Sequence, residues 1–171
     1  IGTDLLEFIE IFNSGTNTVD VSNYYFMGVD FTFPAGTAIA PGDYKVIAFS
    51  ASDMFATFGI NTYQWDGNSL GNSGDIVTLY NPLGEIVDQV PYDDGAGWPN
   101  AADGDGPSLI LCDYNADNSL ASNWNISSNY AGEYAGQSLY ASPGVANTCG
   151  GCVTYNISEN VAICNGIVAL L

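Results

Sequence analysis

The sequence predicts an all-β chain folded as a sandwich of antiparallel strands, and three observations lead there. Residues 76–80 and 85–90 are two β-branched runs joined by Asn81-Pro82-Leu83-Gly84. Pro at the second position of that tetrapeptide and Gly at the fourth suit a type I turn, so the pair reads as a hairpin. Similar short runs recur at intervals of about ten residues, separated by Gly, Pro, Asn and Asp, which is the spacing of a sandwich. Aromatic residues make up 13% of the chain, 11 Tyr and 8 Phe among them, and these favour strands over helices.

The elements follow in order. Residues 5–12, LLEFIEIF, are apolar at both parities, so this strand is expected in the middle of a sheet with both faces covered. Residues 13–17 are turn chemistry. Residues 19–21 and 24–29 are short strands. Residues 30–33 form another with Phe31 and Phe33 on one face, ended by Pro34-Ala35-Gly36. Residues 37–40 lead through Pro41-Gly42 to a strand at 44–49. Residues 52–58 are the one helical stretch, with Ser52 as expected cap, Asp53 near the positive end and Gly59 as the stop. After the hairpin comes a glycine-rich acidic loop, then a strand at 108–112, a helical turn within 118–124 and a strand at 125–127. Residues 129–143 read as irregular with one short strand. A boundary is expected near Ser142-Pro143-Gly144, dividing a sandwich of residues 1–147 from an extension of residues 148–171. That extension reads as two β segments, 153–157 and 161–171.

Composition narrows the function. Nineteen acids face one basic residue, Lys45, with no His and no Arg, for a formal charge of −18. Such a chain repels phosphate backbones and anionic membranes, so neither nucleic acid nor a lipid surface is an expected partner. Without His, no Ser-His-Asp or Cys-His arrangement and no His-based zinc site can form within it. Without Arg there is no clamp for phosphoryl transfer. A carboxylate pair for glycoside hydrolysis is allowed by number, but nothing marks one, and no catalytic residue is assigned. The longest apolar run near an end, residues 167–171, is far short of the roughly 20 residues that a membrane span needs. The chain opens at Ile1 without Met, which is expected of a mature or excised form.

Taken together, the motifs resemble the lamin tail domain. The resemblance runs from Leu6 to Asn147 and rests on the order of several markers. They are Glu7-Phe8-Ile9-Glu10-Ile11-Phe12-Asn13, Val19-Asp20-Val21-Ser22, the stretch Phe33-Pro34-Ala35-Gly36 through Pro41-Gly42, and Leu70-Gly71-Asn72-Ser73-Gly74-Asp75. Val87-Asp88-Gln89-Val90, Trp98-Pro99, residues 103–109, Asn123-Trp124 and Ser142-Pro143-Gly144 complete the set. The resemblance implies an immunoglobulin-like antiparallel β-sandwich of the lamin-tail type, non-catalytic, found in secreted bacterial surface proteins. No heptad rod is present, so the chain is not itself a lamin. Two departures stand out. The strand that usually precedes Glu-Phe-Ile-Glu has no room in residues 1–6, and residues after Asn147 exceed what the domain needs.

A sandwich short of one strand leaves an apolar groove and unpaired backbone groups. The extension offers an uncharged β segment bearing Val161, Ile163, Ile167, Val168 and Leu170. Two readings follow. In one, this segment fills a neighbour's sandwich and builds a surface filament by strand addition, as in pili that use donor-strand exchange. In the other, the chain is an adhesion module excised from a longer secreted protein and the extension begins the next module. Either way the expected setting is the extracellular bacterial surface, and the partners are copies of itself or neighbouring domains.

Four cysteines, Cys112, Cys149, Cys152 and Cys164, suit disulfides outside the cell, with three connectivities open. Cys152–Cys164 with Cys112–Cys149 is the expected pairing. Cys149-Gly150-Gly151-Cys152 precedes a strand rather than a helix, against a thioredoxin-like role. For a ligand, Ca²⁺ is the candidate cofactor. Asp93, Asp94, Asp103 and Asp105 share one connection, and Asp113, Asn115 and Asp117 alternate along the next. The alternative is a set of solvated turn carboxylates, and Asn118 and Trp124 stand where an EF-hand needs Gly and Glu. Asn125-Ile126-Ser127 and Asn156-Ile157-Ser158 fit the glycan acceptor pattern. Trp65, Trp98 and Trp124 are sugar-stacking candidates, with core packing the stronger expectation.

Overall fold

The computed structural model describes residues 4–147. Thirteen strands appear there: β1 Phe8–Phe12, β2 Val19–Asp20, β3 Tyr25–Met27, β4 Phe31–Thr32, β5 Ala38–Ile39, β6 Tyr44–Ala48, β7 Tyr63–Gln64, β8 Asp75–Tyr80, β9 Ile86–Tyr92, β10 Leu109–Leu111, β11 Trp124–Ile126, β12 Tyr130–Tyr134 and β13 Gln137–Tyr140. One helix, α1 Ala51–Phe58, joins β6 to β7.

Two sheets enclose the main core. One is ordered β1-β6-β7, the other β4-β3-β8-β9. Ile9 and Ile47, opposite one another in the first sheet, meet Phe26, Val77 and Leu79 of the second. Phe31 and Phe33 pack edge to face at 4.8 Å within this core. Their one-faced spacing in the sequence is thereby explained. The all-β sandwich is as expected, with one local exception: β7 runs parallel to β6.

The first sheet is buried on its other face too. Phe8, Val46 and Ala48 alternate with the residues of the main core and pack with Leu6, Met54, Leu139 and Ala141 into a second cluster under α1 and β13. This corrects the expected place of residues 5–12. Residues 4–6 are a 3-10 turn, and β1 ends its sheet rather than lying mid-sheet. Its apolar character at both parities comes from a layer on each face, not from a strand on each side.

Two further local corrections concern caps and turns. The helix is capped by Ser50, not Ser52: Ser50 is extended (φ −131°, ψ 103°) and its Oγ accepts the Asp53 N–H at 3.3 Å. Gly59 closes the helix in the left-handed region, as expected. Residues 129–143 hold a two-stranded hairpin, β12–β13, instead of one short strand. Its turn puts Ala135 (φ 52°) and Gly136 (φ 86°) in left-handed conformations. An Asn-Gly or Asp-Gly pair announces such a turn, and alanine does not.

Candidate functional site

The two sheets do not close on every side. β1 and β9 each end their sheet. Between them lies a small recess lined by Ile9 and Ile11 of β1, Phe26, Val77 and Leu79, with Asp88, Gln89 and Val90 of β9. Val90 and Asp88 stand opposite Val77 and Leu79, so both point inward. Val90 is buried while Asp88 is exposed, which marks where the recess meets solvent. Both carboxylate oxygens of Asp88 accept from Nδ2 of Asn118, at 3.0 and 2.8 Å. That tie draws the 113–120 loop to the mouth.

The acidic residues named as a calcium set are spread over exposed turns. Asp93 accepts the Gly95 N–H at 2.7 Å. Asp113 accepts the Asn115 N–H at 2.9 Å, and Asp117 accepts the Ser119 N–H at 3.0 Å and its hydroxyl at 2.6 Å. These are Asx turns, the local chemistry that alternating Asp and Asn residues serve. The Ser119 hydroxyl, followed by its backbone N–H, holds the Asp117 carboxyl below its usual range. Asp94, Asp103 and Asp105 are exposed. Among the described residues no group of three or more Asp, Glu, Cys or His side chains could hold a metal ion.

The tryptophans sit in the core. Trp65, Trp98 and Trp124 are all buried, with Trp98 and Trp124 rings 5.7 Å apart. The indole N–H of Trp124 donates to the Asn118 carbonyl at 2.8 Å. Trp98 thereby anchors the acidic loop, and no ring face is left for a sugar. Asn125 lies exposed on β11, whereas Ser127 of the same triplet is buried.

Sequence reasoning missed two buried carboxyls. Glu7 Oε2 accepts the Leu70 N–H at 2.8 Å, inside the protein. Glu10 is wholly buried; its Oε2 accepts the Gly144 N–H at 2.6 Å, and Oε1 is without a hydrogen-bond partner. Burial pushes its carboxyl up to about 8, against the opposing pull of the Gly144 hydrogen bond. The phenol of Tyr44 is raised by its own partial burial and by the charge of Glu10. A hydrolytic pair needs two acids across a cleft open to substrate, and Glu10 has no access to solvent. The alternation of β1 places it with Phe8 on the second-core face, a position where the sequence reads like any other strand carboxylate.

Cys112 is disulfide-bonded; Cys149, Cys152 and Cys164 lie outside the described residues, as does the expected pairing. The assembly segment with Val161, Ile163, Ile167, Val168 and Leu170 lies outside them too, and so does Asn156. Among the described residues no helix is long and apolar enough to cross a membrane.

Among known families, the model of the Lamin Tail Domain matches residues 2–94. The match covers both sheets of the main core through β9 and stops before Trp98, so the markers from Trp98 to Gly144 lie beyond it. No curated protein and no solved structure matches the chain.

Proposed function

The chain belongs to the lamin tail domain family, a family of immunoglobulin-like interaction modules, and from that premise we propose that it is a non-enzymatic structural subunit of an extracellular bacterial filament. In this reading the C-terminal extension of one copy completes the sandwich of the next. The observation that carries it is the open flank between β1 and β9. An apolar recess there is bounded by two strands that each end a sheet, and the same chain supplies an uncharged, strand-prone segment at 161–171. Strand addition needs those two things: backbone groups without a ladder and pockets for alternate side chains. The bonded state of Cys112 and the formal charge of −18 both suit an oxidising, salty exterior.

A calcium- or carbohydrate-binding adhesion module excised from a larger secreted protein is the rival. It finds less support, because the acids serve their own turns and the indoles are buried. Negative-stain microscopy of the full chain beside a version lacking residues 153–171 separates the two. Polymers from the full chain and none from the shortened one are expected. Polymers from both overturn strand donation by the extension, and polymers from neither overturn the filament reading.

A further inference from the structure

Resting on the strand-complementation reading, we propose that the acceptor is the outer edge of β9 at residues 86–90, and that its occupant is the 161–171 segment of a second copy of this chain. The choice lies among strands that end a sheet. β2, β4, β5 and β7 have two residues each, and β10 and β11 three, too few to template a ladder. One side of β13 pairs with β12, and its Tyr140 already bridges to Pro107 on the other. β1 has five residues, yet Phe8, Ile9 and Glu10 retain 2% exposure or less, so an incoming strand finds its first half closed. β12 has five residues, with a register shift between Tyr130 and Gly132 and the exposed Glu133. β9 shares both kinds of feature, a shift that leaves Val87 without a partner on β8 and the exposed Asp88, so length and exposure decide between the two.

Among the described residues, β9 is the longest strand that ends a sheet. It is seven residues long, and residues 86–89 are exposed in succession, Ile86 at 59% and Val87 at 51%. Pro91, opposite Ile76, lacks an N–H and ends the usable edge. The recess lined by Asp88, Gln89 and Val90 adjoins that edge and gives a donor side chain an apolar surface to pack on. Asn118 donates to Asp88 across the mouth, and Asp88 Oδ1 also accepts the Gln89 N–H at 2.8 Å; the donor strand takes the place of both.

Charge selects the occupant. Copies bearing −18 repel one another. Residues 161–171 contain no charged side chain, and Asp88 is the one charge in residues 86–90. Contact between these two stretches therefore adds little like-charge repulsion. The donor segment is also longer than the edge it covers.

The test uses the full chain. A photoreactive benzoylphenylalanine in place of Val87, irradiated under assembling conditions, is expected to link to a peptide from residues 161–171 of another copy; capture of any other segment overturns the assignment. In parallel, Val87→Lys is expected to melt like the parent, because Val87 is exposed, yet to lose about tenfold or more of its assembled mass. Thr32→Lys on β4, at the opposite edge of the same sheet, is expected to assemble normally. If Val87→Lys assembles like the parent while the version lacking residues 153–171 does not, the β9 assignment falls and strand donation stands. If both assemble, both fall. Should Val87→Lys melt early, the cross-link decides.

Discussion

Glu10 shows at one residue how burial becomes a pH dependence. Its carboxyl rises from an ordinary 4.5 to about 8, so between those values the folded protein holds a proton that the unfolded chain has released. Stability is then complete below the unfolded value and is lost as pH climbs toward 8, with a slope of about 1.4 kcal/mol per pH unit. Thermal melts between about pH 5 and pH 8 are expected to show a falling melting temperature in the parent. Glu10→Gln keeps the shape and the acceptor for the Gly144 N–H but cannot ionise, so its melting temperature is expected to stay level across that window. Asp20 and Asp117 shift the other way, held low first by the hydroxyls of Ser22 and Ser119. They act below the carboxylate range and leave this window clear. Nothing in the letters EFIEIF separates the buried Glu10 from a solvated one. Its burial depends on the 142–147 turn, more than a hundred residues away.

At the scale of elements, local chemistry was legible where one turn or one cap decides the outcome. The β8–β9 hairpin closes through the Gly84 N–H donating to the Asn81 carbonyl at 3.0 Å, as the Pro and Gly positions imply. Gly59 likewise stops α1. Where two segments must meet, the sequence is silent. Gly74 lies at the entry to β8 with φ +100°, and a Cβ there would stand 2.8 Å from the Tyr92 carbonyl oxygen and 3.0 Å from Asp93 Cα. Gly74→Ala is expected to cost about 1–3 kcal/mol in chemical denaturation, from backbone strain and collision together. Gly36 has φ +85° with nothing within 4 Å of the same position. Gly36→Ala is therefore expected to cost less, about 1 kcal/mol, from strain alone. The β12–β13 hairpin was illegible for the opposite reason: Ala135 occupies a left-handed turn position whose usual residues are Asn, Asp and Gly.

For the molecule as a whole, net charge opposes compactness. With nineteen acids and one lysine, self-repulsion is stronger in the folded state than in the expanded chain. Raising salt from about 0.01 M to about 0.15 M shortens the screening length from about 30 Å to about 8 Å. The melting temperature is expected to rise across that range, and scanning calorimetry at fixed pH checks it; a flat response means that repulsion among the carboxylates contributes little to stability. Composition, hairpin chemistry and the order of turn residues determined the all-β class and the exclusion of histidine-dependent chemistry, and the ordered motifs carried the family resemblance. Those features are local or additive, and each residue carries its share wherever the chain goes. The tertiary structure alone decided that β1 ends its sheet yet is buried on both faces, that Glu10 loses its solvent, and that β9 presents the exposed edge beside an apolar recess. Each of these is a relation between segments far apart in sequence. A residue's own identity leaves its solvation undetermined until a distant layer packs against it or leaves it open.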